Sequence, residues 1–592
     1  MQLFKDNLCL VKIDLNQIVL QFGKLTFTNL EVAMQKEYVF FDKIGLDFPL
    51  SDEIEIVKAP TTGDYIVSND PDADAVIYAP EINFYLQSSL DSIARKMSNV
   101  LKLYAIRAVG FDFAQDIDYA QEVGKKLLIV TDDAEHESLK EELSRDGYAV
   151  IVLSPSMILD IDGHIGALHV TLKKEGELFD VECDQIIWWD APQFATKQSG
   201  TYDPSLLGLE GALAKLRMNT GEYRYKNYIN YDSSICQYHE RREEICGKCA
   251  EVCPTVAILK EDESKHLVFS HIDCHGCGGC VSVCPSGALD YTQMPRIAFT
   301  HVSAYFKGSI PLIIPHKMDL SLIDTPLREN VLPLMIEGEK YLHEAHLMNL
   351  LQTSGNPIIF YTDFISKGTG DVIRIINEIF EKKYHKKAIY VCEDSQELAS
   401  IFETLQAIPE CIYGINEEGL RKREIFSARL AHLVGDEDLG VVKTGEHVHY
   451  GDVVINEDNC TLCLSCVGAC NVRALTAHPE DNSLRFNASI CTNCGYCEVT
   501  CPEKECLSVI KDEISLKPSW FSQRIMAKDE LFACSECGKE FATVKSIQKI
   551  AAIMTPLFGE DDVKIKTLYC CADCKPKVMF KAHMENNQKG IL

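Results

Sequence analysis

The stretch Cys491-Thr-Asn-Cys494-Gly-Tyr-Cys497-Glu-Val-Thr-Cys501-Pro502 places four cysteines at C-x2-C-x2-C-x3-C-P spacing. The short steps let the first three thiolates converge on one cubane iron–sulfur cluster, while the fourth points away and ligates a neighbouring cluster. The run therefore predicts a pair of clusters rather than one, and it requires a second cysteine run of the same kind.

The partner run lies just upstream and has the same cysteine steps, but Asn471 follows its last cysteine where proline is usual. A second pair of runs lies earlier in the chain. Its later run ends in Cys284-Pro285 and is complete, whereas its earlier run ends in Cys253-Pro254 and lacks a first ligand at the usual spacing. The nearest candidate is Cys236, so residues 237–245 are predicted to bulge out as an insertion.

Two pairs of runs predict two bicluster modules, and crossing the last cysteine within each pair gives four ligand sets. Cluster one is expected to take Cys236, Cys246, Cys249 and Cys284, and cluster two Cys274, Cys277, Cys280 and Cys253. Cluster three is expected to take Cys460, Cys463, Cys466 and Cys501, and cluster four Cys491, Cys494, Cys497 and Cys470. If Cys236 is not a ligand, cluster one becomes a three-iron or solvent-ligated centre.

Zinc is the alternative metal for these runs, because it also binds C-x2-C pairs. Zinc needs four ligands per ion, and its two pairs normally lie about a dozen or more residues apart. Three closely spaced cysteines in one run do not match that pattern. The spacing therefore favours four [4Fe-4S] clusters.

Composition limits the partners and the compartment. The 592 residues include 58 basic and 88 acidic side chains, a net charge of −30, which disfavours nucleic acid or an anionic membrane as a partner. The longest apolar runs, such as residues 148–153, are far shorter than the ~20 residues of a membrane span. The N-terminal sequence is predicted to carry no export signal, and so many reduced cysteines indicate the cytoplasm.

Hydrophobic periodicity predicts a multidomain α/β plus α+β chain, with two ferredoxin-like 2[4Fe-4S] modules between or after α/β domains. Residues 126–131 and 148–153 are predicted to be parallel strands around a helix at 134–146, and residues 167–172 and 178–183 a hairpin turning at Glu175-Gly176. Further strands are predicted at 311–315, 357–361 and 387–391, and helices at 340–351, 371–383 and 395–407. The predicted domains are an N-terminal α/β region (1–225), a first module (226–298), a second α/β region (299–440), a second module (441–515) and a four-cysteine tail (516–592).

The α/β regions contain no complete nucleotide fingerprint. Gly368-Thr-Gly370 lacks the third glycine, since Ile373 stands there, and Gly440–Gly445 is followed by Glu446 instead of a P-loop lysine. A bound flavin or nicotinamide is thus the minor alternative. His343-Glu-Ala-His346 is one residue short of a zinc-protease motif and is predicted to be a structural helix.

Several other residues are assigned ordinary roles. Asp273 and His275 flank Cys274 and are either solvated loop residues or groups that tune a cluster. Cys506, close behind Cys501, is predicted to be a spare thiol. Isolated cysteines in apolar surroundings are expected to be small core residues, and these are Cys9, Cys183, Cys392 and Cys411.

The tail carries a different metal signature. Cys534-Ser-Glu-Cys537-Gly538 and Cys571-Ala-Asp-Cys574 are two C-x2-C knuckles separated by a predicted helix at 545–553. They predict a zinc-ribbon-like domain with one tetrahedral four-thiolate site, for which zinc is the default metal. Cys570 offers a competing thiolate, and rubredoxin-type iron or another iron–sulfur cluster are alternatives. A closed site of this kind serves structure or docking.

The order of these motifs carries a resemblance to a known group. An α/β region ending in Ser234-Ile-Cys236 is followed by Cys246-Gly-Lys-Cys249 and Cys284-Pro-Ser-Gly287; a second α/β region, a second cysteine pair and Phe532-Ala-Cys534 complete the series. From about residue 160 onward the chain resembles the large bacterial polyferredoxins encoded beside formate dehydrogenases. The resemblance implies a redox partner such as formate dehydrogenase, and it supports Cys236 because the widened spacing recurs in that group.

Serial one-electron transfer is the predicted function, with no catalysis by the chain itself. Four cubanes can accept both electrons of a two-electron oxidation and release them singly. Two other functions are weighed against it. One is the iron–sulfur subunit of a flavin- or disulfide-reductase complex, and the other is a maturation factor for a partner metalloenzyme.

Overall fold

The structure, a computed structural model, describes residues 36–133, 136, 139–174 and 176–589, so Cys9 and Glu175 lie outside the described residues. Its first sheet is parallel, in the order Ile54–Val57, Tyr38–Phe41, Thr61–Ser68 and Ala73–Tyr78. Helices Pro80–Ser88 and Ile93–Phe113 follow it. Proline at the start of the first helix fits that position, because its fixed backbone angle is helical and its missing N–H is not needed there.

The predicted βαβ unit is confirmed, since Lys126–Val130 and Ala149–Leu153 pair in parallel around helix Leu139–Arg145. Strands Gln185–Trp188 and Thr201–Tyr202 extend this sheet, also in parallel. The predicted hairpin is present as Ala167–Lys174 and Glu177–Cys183, with Ile158–His164 as a third strand. Helices Gln193–Thr196, Pro204–Leu207 and Leu209–Met218 and the antiparallel pair Asp118–Val123 and Gly221–Lys226 complete this unit.

A second parallel sheet lies between the cysteine modules. The predicted strands are present at Ile310–Pro315, Ile358–Tyr361 and Ile389–Cys392, and the predicted helices at Glu344–Ser354, Lys367–Tyr384 and Ser395–Thr404. Sequence reasoning missed strand Val331–Ile336 and helices Arg296–Ala304 and Lys422–Val434. Pro333 hides the strand signal, and the structure accommodates this proline because the strand lies at the sheet edge.

The two cysteine modules have the same topology. In each, the first strand pairs with the last, and the two middle strands form a hairpin. The first module has strands Ile229–Tyr231, Ile258–Glu261, His266–Phe269 and Leu289–Tyr291 and helices Lys248–Glu251 and Gly279–Val283. The second has strands Gly451–Ile455, Leu475–His478, Ser483–Phe486 and Leu507–Lys511 and helices Ser465–Ala469 and Tyr496–Val499.

The remaining elements flank the second module and form the tail. Val441–Lys443 pairs with Glu513–Ser515, and Arg524–Lys528 adds a strand to the module's hairpin. The tail has the hairpin Leu531–Ala533 and Glu540–Thr543 and helices Val544–Phe558, Asp562–Leu568 and Lys575–Lys589. Short 3-10 helices lie at Pro155–Met157, Ser233–Ile235, Leu320–Leu322, Pro409–Cys411, Ala488–Ile490 and Pro518–Phe521.

One apolar core joins most of these parts. It runs continuously through the first sheet, both cysteine modules and the second sheet, whereas the βαβ unit at 126–218 has cores of its own. A buried ion pair ties the first helices to the second sheet, because Arg107 binds Glu81 through two nitrogens and Glu337 through a third. Both cysteine modules therefore share one apolar core with the two sheets.

Candidate metal centres

Four small cavities in the two modules are each lined by a separate set of cysteines, and we number them after the predicted clusters. Cavity one is lined by Cys236, Cys246, Cys249 and Cys284, and cavity two by Cys253, Cys274, Cys277 and Cys280. Cavity three is lined by Cys460, Cys463, Cys466 and Cys501 together with Cys506, and cavity four by Cys470, Cys491, Cys494 and Cys497. In every case the last cysteine of one run joins the first three of the other, which is the crossed pattern of two-cluster modules.

Left-handed backbone turns lie between cysteines within a run, where the chain bends so that sulfurs of that run line one cavity. Leu462, Leu464 and Asn493 have φ angles of 53°, 61° and 52°, values that residues other than glycine seldom adopt. Gly278 occupies the corresponding turn between Cys277 and Cys280 with φ 76°, and a Cβ there would lie 2.4 Å from that of Tyr341. The loops therefore accept local strain in order to bring their thiols together.

Backbone amides point at the first sulfur of each run. Tyr238 N donates to Cys236 Sγ at 3.4 Å, and Asn493 N donates to Cys491 Sγ at 3.3 Å. The amides of Gly276 and Leu462 bond the sulfurs of Cys274 and Cys460 in the same way. Such donors favour the ionised sulfur and tune the potential of a bound cluster.

Burial raises the pKa of several thiols in the four cavities. It raises the pKa of Cys491 and of Cys466 to about 12, and that of Cys249 well above its ordinary range. Neighbouring sulfurs in the same cavity raise each pKa further. Thiolates packed this closely need a cation to offset their charge, and bound iron supplies one. The donor set therefore fits iron–sulfur clusters.

The displaced Cys236 has the same local geometry as Cys491. Each follows a short 3-10 helix that is capped by an aspartate or asparagine side chain, Asp232 in one case and Asn487 in the other. The φ and ψ angles are −67° and 136° at Cys236 and −67° and 134° at Cys491. After this shared start, residues 237–245 form the inserted segment, and the chain comes back to cavity one at Cys246. The repeat Asp-Ser-Ser-Ile-Cys and Asn-Ala-Ser-Ile-Cys is the sequence signal for this match.

Cys506 lies inside the site, whereas the sequence analysis assigned it as a spare thiol. It is 4% exposed and lines cavity three, where its thiol lies close enough to the sulfurs of Cys460 and Cys501 to donate to either of them. Its other partner is Asn456 O, at 3.9 Å. Burial raises the pKa of Cys506 to about 12, so this thiol stays protonated and acts as a donor. Sequence spacing gave no signal for it, because the contact depends on the fold.

Asp273 and His275 have separate surroundings. Asp273 is buried and accepts hydrogen bonds from Ser199 N and Oγ, both at 2.8 Å, and from Ser270 Oγ, so it anchors the βαβ unit to the first module. His275 lines cavity two, and burial lowers its pKa. Of the two, only His275 faces a cysteine-lined cavity.

The other motifs serve packing. Glu344–Ser354 is a buried helix that begins after His343, whose Nδ1 accepts a hydrogen bond from Ala345 N. Gly368 lies where its helix meets the first module, because a Cβ there would lie 2.7 Å from Ser282 Oγ. Cys183, Cys392 and Cys411 are buried core residues, as the sequence predicted.

The tail brings four more cysteines into one group. The sulfurs of Cys534, Cys537, Cys571 and Cys574 all lie within 4.8 Å of one another. Cys571 N donates to Cys534 Sγ at 3.2 Å, and this bond, with other backbone amides, lowers the pKa of Cys534 to about 6. The neighbouring Cys570 thiol instead donates to Lys566 O at 3.3 Å, outside the group. Four converging sulfurs fit a tetrahedral metal site.

Two protein-family models match the chain. Residues 218–288 match one 4Fe-4S dicluster domain, and residues 452–502 match another. The two ranges contain the sixteen cysteines of the four crossed sets, whereas Cys506, which also lines cavity three, lies just beyond the second range. The chain is therefore a polyferredoxin-like iron–sulfur protein, and its dicluster domains support a role in electron transfer.

One curated relative is similar over a short stretch. A protein from Nitratidesulfovibrio vulgaris (strain Hildenborough) is 41% identical to this chain over 51 residues, which is 8% of this chain and 14% of that protein. The chain thus matches only a small part of that relative's length. Among the described residues, no helix combines the length and apolar character needed to cross a membrane.

Proposed function

We propose that this protein is an electron-transfer polyferredoxin with four [4Fe-4S] clusters, one in each cysteine-lined cavity. The observation that carries the proposal is the sorting of the cysteines into four separate sets. Each set matches the crossed ligands expected from the spacing, Cys236 included. Each cluster supplies one reversible electron at a potential that burial and hydrogen bonds to sulfur determine.

The chain's own residues hold and tune these clusters. Apolar side chains such as Phe486, Val453 and Val509 line cavity four and exclude water from it. The amides that bond the first sulfurs favour the ionised ligands. In cavity three, the Cys506 thiol adds a further donor.

Cavity three is the proposed place of exchange with a redox partner. Cys463 is exposed there, and Leu464 beside it is 39% exposed, so a partner can approach this cluster closely. The resemblance to polyferredoxins encoded beside formate dehydrogenases makes formate dehydrogenase the proposed partner. A reducing compartment such as the cytoplasm suits a chain whose described cysteines are all free of disulfides.

Zinc is the metal that we propose for the tail, as a structural ion in a closed four-sulfur site, with iron as the alternative. The tail contacts the second module beside cavity three. Thr543 Oγ1 donates to Thr461 O at 2.8 Å, and Lys549 pairs with Glu503, which lines the same cavity. A zinc-stabilised tail would thus help to shape the surface at which a partner docks.

Metal analysis of anaerobically purified protein tests this function. We expect about sixteen iron, about sixteen sulfide and about one zinc per chain, with interacting signals in electron paramagnetic resonance after dithionite reduction. Cys249→Ser and Cys497→Ser should each lose about four iron, whereas Cys392→Ser, at a buried thiol in the second sheet, should lose none. About eight iron or fewer after reconstitution would contradict the four-cluster proposal.

A further inference from the structure

Asn471 connects the two cysteine modules. It directly follows Cys470, which lines cavity four, and it stands where proline follows the last cysteine of the other three runs. Its Nδ2 donates to Cys236 O at 2.9 Å and to Ser234 O at 3.3 Å. Asn471 itself lines cavity four, so one hydrogen bond joins a residue of cavity four to a cysteine of cavity one. Proline at this position has no side-chain donor and could not make it.

Gln237 lies between the same two cavities. It is 3% exposed and lines both cavity one and cavity four. Its Nε2 donates to Asn471 Oδ1 at 2.8 Å. The two side-chain amides therefore form a continuous contact between cavity one and cavity four. Buried amides that satisfy each other in this way hold a defined geometry.

The inserted segment 237–245 makes further contacts between the two cysteine modules. Arg241 Nη1 donates to Ala469 O at 2.8 Å, and its guanidinium lies 4.5 Å from the ring centroid of Tyr496. Ala469 and Tyr496 belong to the two short helices of the second module. The widened spacing after Cys236 therefore has a structural consequence, because the inserted residues contact the second cysteine module.

We propose that Asn471 and Gln237 form the route by which electrons cross between the modules. The route makes the clusters one wire in the order two, one, four, three. This inference rests on the proposed function, since it needs a cluster in each cavity. The step moves one electron and no atoms: the cluster that gives it is oxidised by one unit, and the cluster that receives it is reduced by one unit.

A single wire explains both departures from the standard pattern, the widened spacing after Cys236 and the asparagine in place of proline at Asn471. Direct electron exchange between two bicluster modules needs a cluster of one module to lie close to a cluster of the other. Asn471, which replaces the usual proline, donates to the backbone carbonyl of Cys236, the displaced first ligand, so the two departures meet in one hydrogen bond. Electrons received at the exposed cavity three can then reach cavity two at the far end of the first module.

The test measures transfer between modules in the intact protein. A substoichiometric pulse of dithionite is followed by rapid freeze-quench electron paramagnetic resonance, with the signals of each module assigned from Cys249→Ser and Cys497→Ser. Asn471→Leu keeps the side-chain size but removes all three side-chain hydrogen bonds, and we expect it to slow the passage of the signal between modules several-fold. Asn416→Leu, at an exposed asparagine, is the matched control. Iron content and the potentials from a redox titration should stay unchanged in both.

The outcomes separate this inference from the proposed function. Wild-type transfer in Asn471→Leu at full iron content overturns the route while leaving the electron carrier intact. If Asn471→Leu loses iron, Gln237→Met decides, because it removes the donor to Asn471 Oδ1 at similar side-chain size and adds no charge beside the clusters. Slower transfer supports the route, and unchanged transfer overturns it. Wild-type protein without iron would instead refute the proposed function itself.

Discussion

Lys422 Nζ lies 3.1 Å from Glu344 Oε2 in the interior of the protein, and both side chains are only 2% exposed. Lys422 also donates to Cys284 O at 3.0 Å, beside cavity one. Burial lowers the pKa of Lys422, and the charge of Glu344 partly offsets this effect. The pair therefore links the second α/β region to the backbone of a cysteine in cavity one.

Lys422→Met should destabilise the protein strongly, because it leaves the Glu344 carboxylate buried without its cation. Removing one partner of a buried pair costs about 3–5 kcal/mol, which urea unfolding under anaerobic conditions would detect. Arg217→Met is the control, since its pairs with Glu142 and Asp146 are exposed and worth about 0–1 kcal/mol. The double variant Lys422→Met with Glu344→Gln should recover part of the loss; equal losses in the single and double variants would show that the pair itself is not responsible.

Gly278→Ala should destroy the cluster in cavity two. The left-handed φ of 76° and the 2.4 Å approach to the Tyr341 Cβ leave no room for a methyl group. The adjacent Gly279→Ala is a matched control, because its nearest contact would be 3.7 Å from Lys340 Cδ. Iron analysis should show a loss of about four iron for the first variant and none for the second. Full iron in Gly278→Ala would mean that the turn can relax.

Cys506→Ala should keep all its iron but shift the cluster in cavity three to a more negative potential. The thiol lies next to the sulfurs of Cys460 and Cys501 and can donate its one proton to either, and such a bond stabilises the more negative reduced cluster. A redox titration followed by electron paramagnetic resonance measures the shift. Cys392→Ala removes a thiol that donates to Phe360 O in the second sheet and should change nothing. Loss of iron from Cys506→Ala would instead identify Cys506 as a ligand.

Cys537→Ser should release the metal of the tail without affecting the clusters. It removes one of the four converging sulfurs, and a three-sulfur site binds zinc less tightly. Metal analysis should show a loss of about one zinc at unchanged iron. Cys570→Ser, whose sulfur faces Lys566 O, should retain its zinc. If the two variants behave alike, Cys570 takes part in the site.

Parts of the fold were readable from local pattern alone. The strands at Lys126–Val130 and Ala149–Leu153 were predicted because their apolar runs and the intervening helix signal are local. Strand Val331–Ile336 was missed, because Pro333 weakens the local signal and only the position at the sheet edge makes it acceptable. The position of Cys506 beside cavity three was not predicted for a similar reason, because its proximity to Cys460 and Cys501 depends on the fold and not on spacing.

The four cysteine runs and their steps can be read directly from the chain, because C-x2-C spacing acts over one or two backbone turns and needs no distant partner. Which modules meet, and at which residues, depends instead on how the chain packs in three dimensions. The bond between Asn471 Nδ2 and Cys236 O joins residues far apart in the chain, and the approach of Gly278 to Tyr341 likewise joins a module to an α/β region. Such contacts follow from the packing of a shared core, which no single segment of the chain specifies.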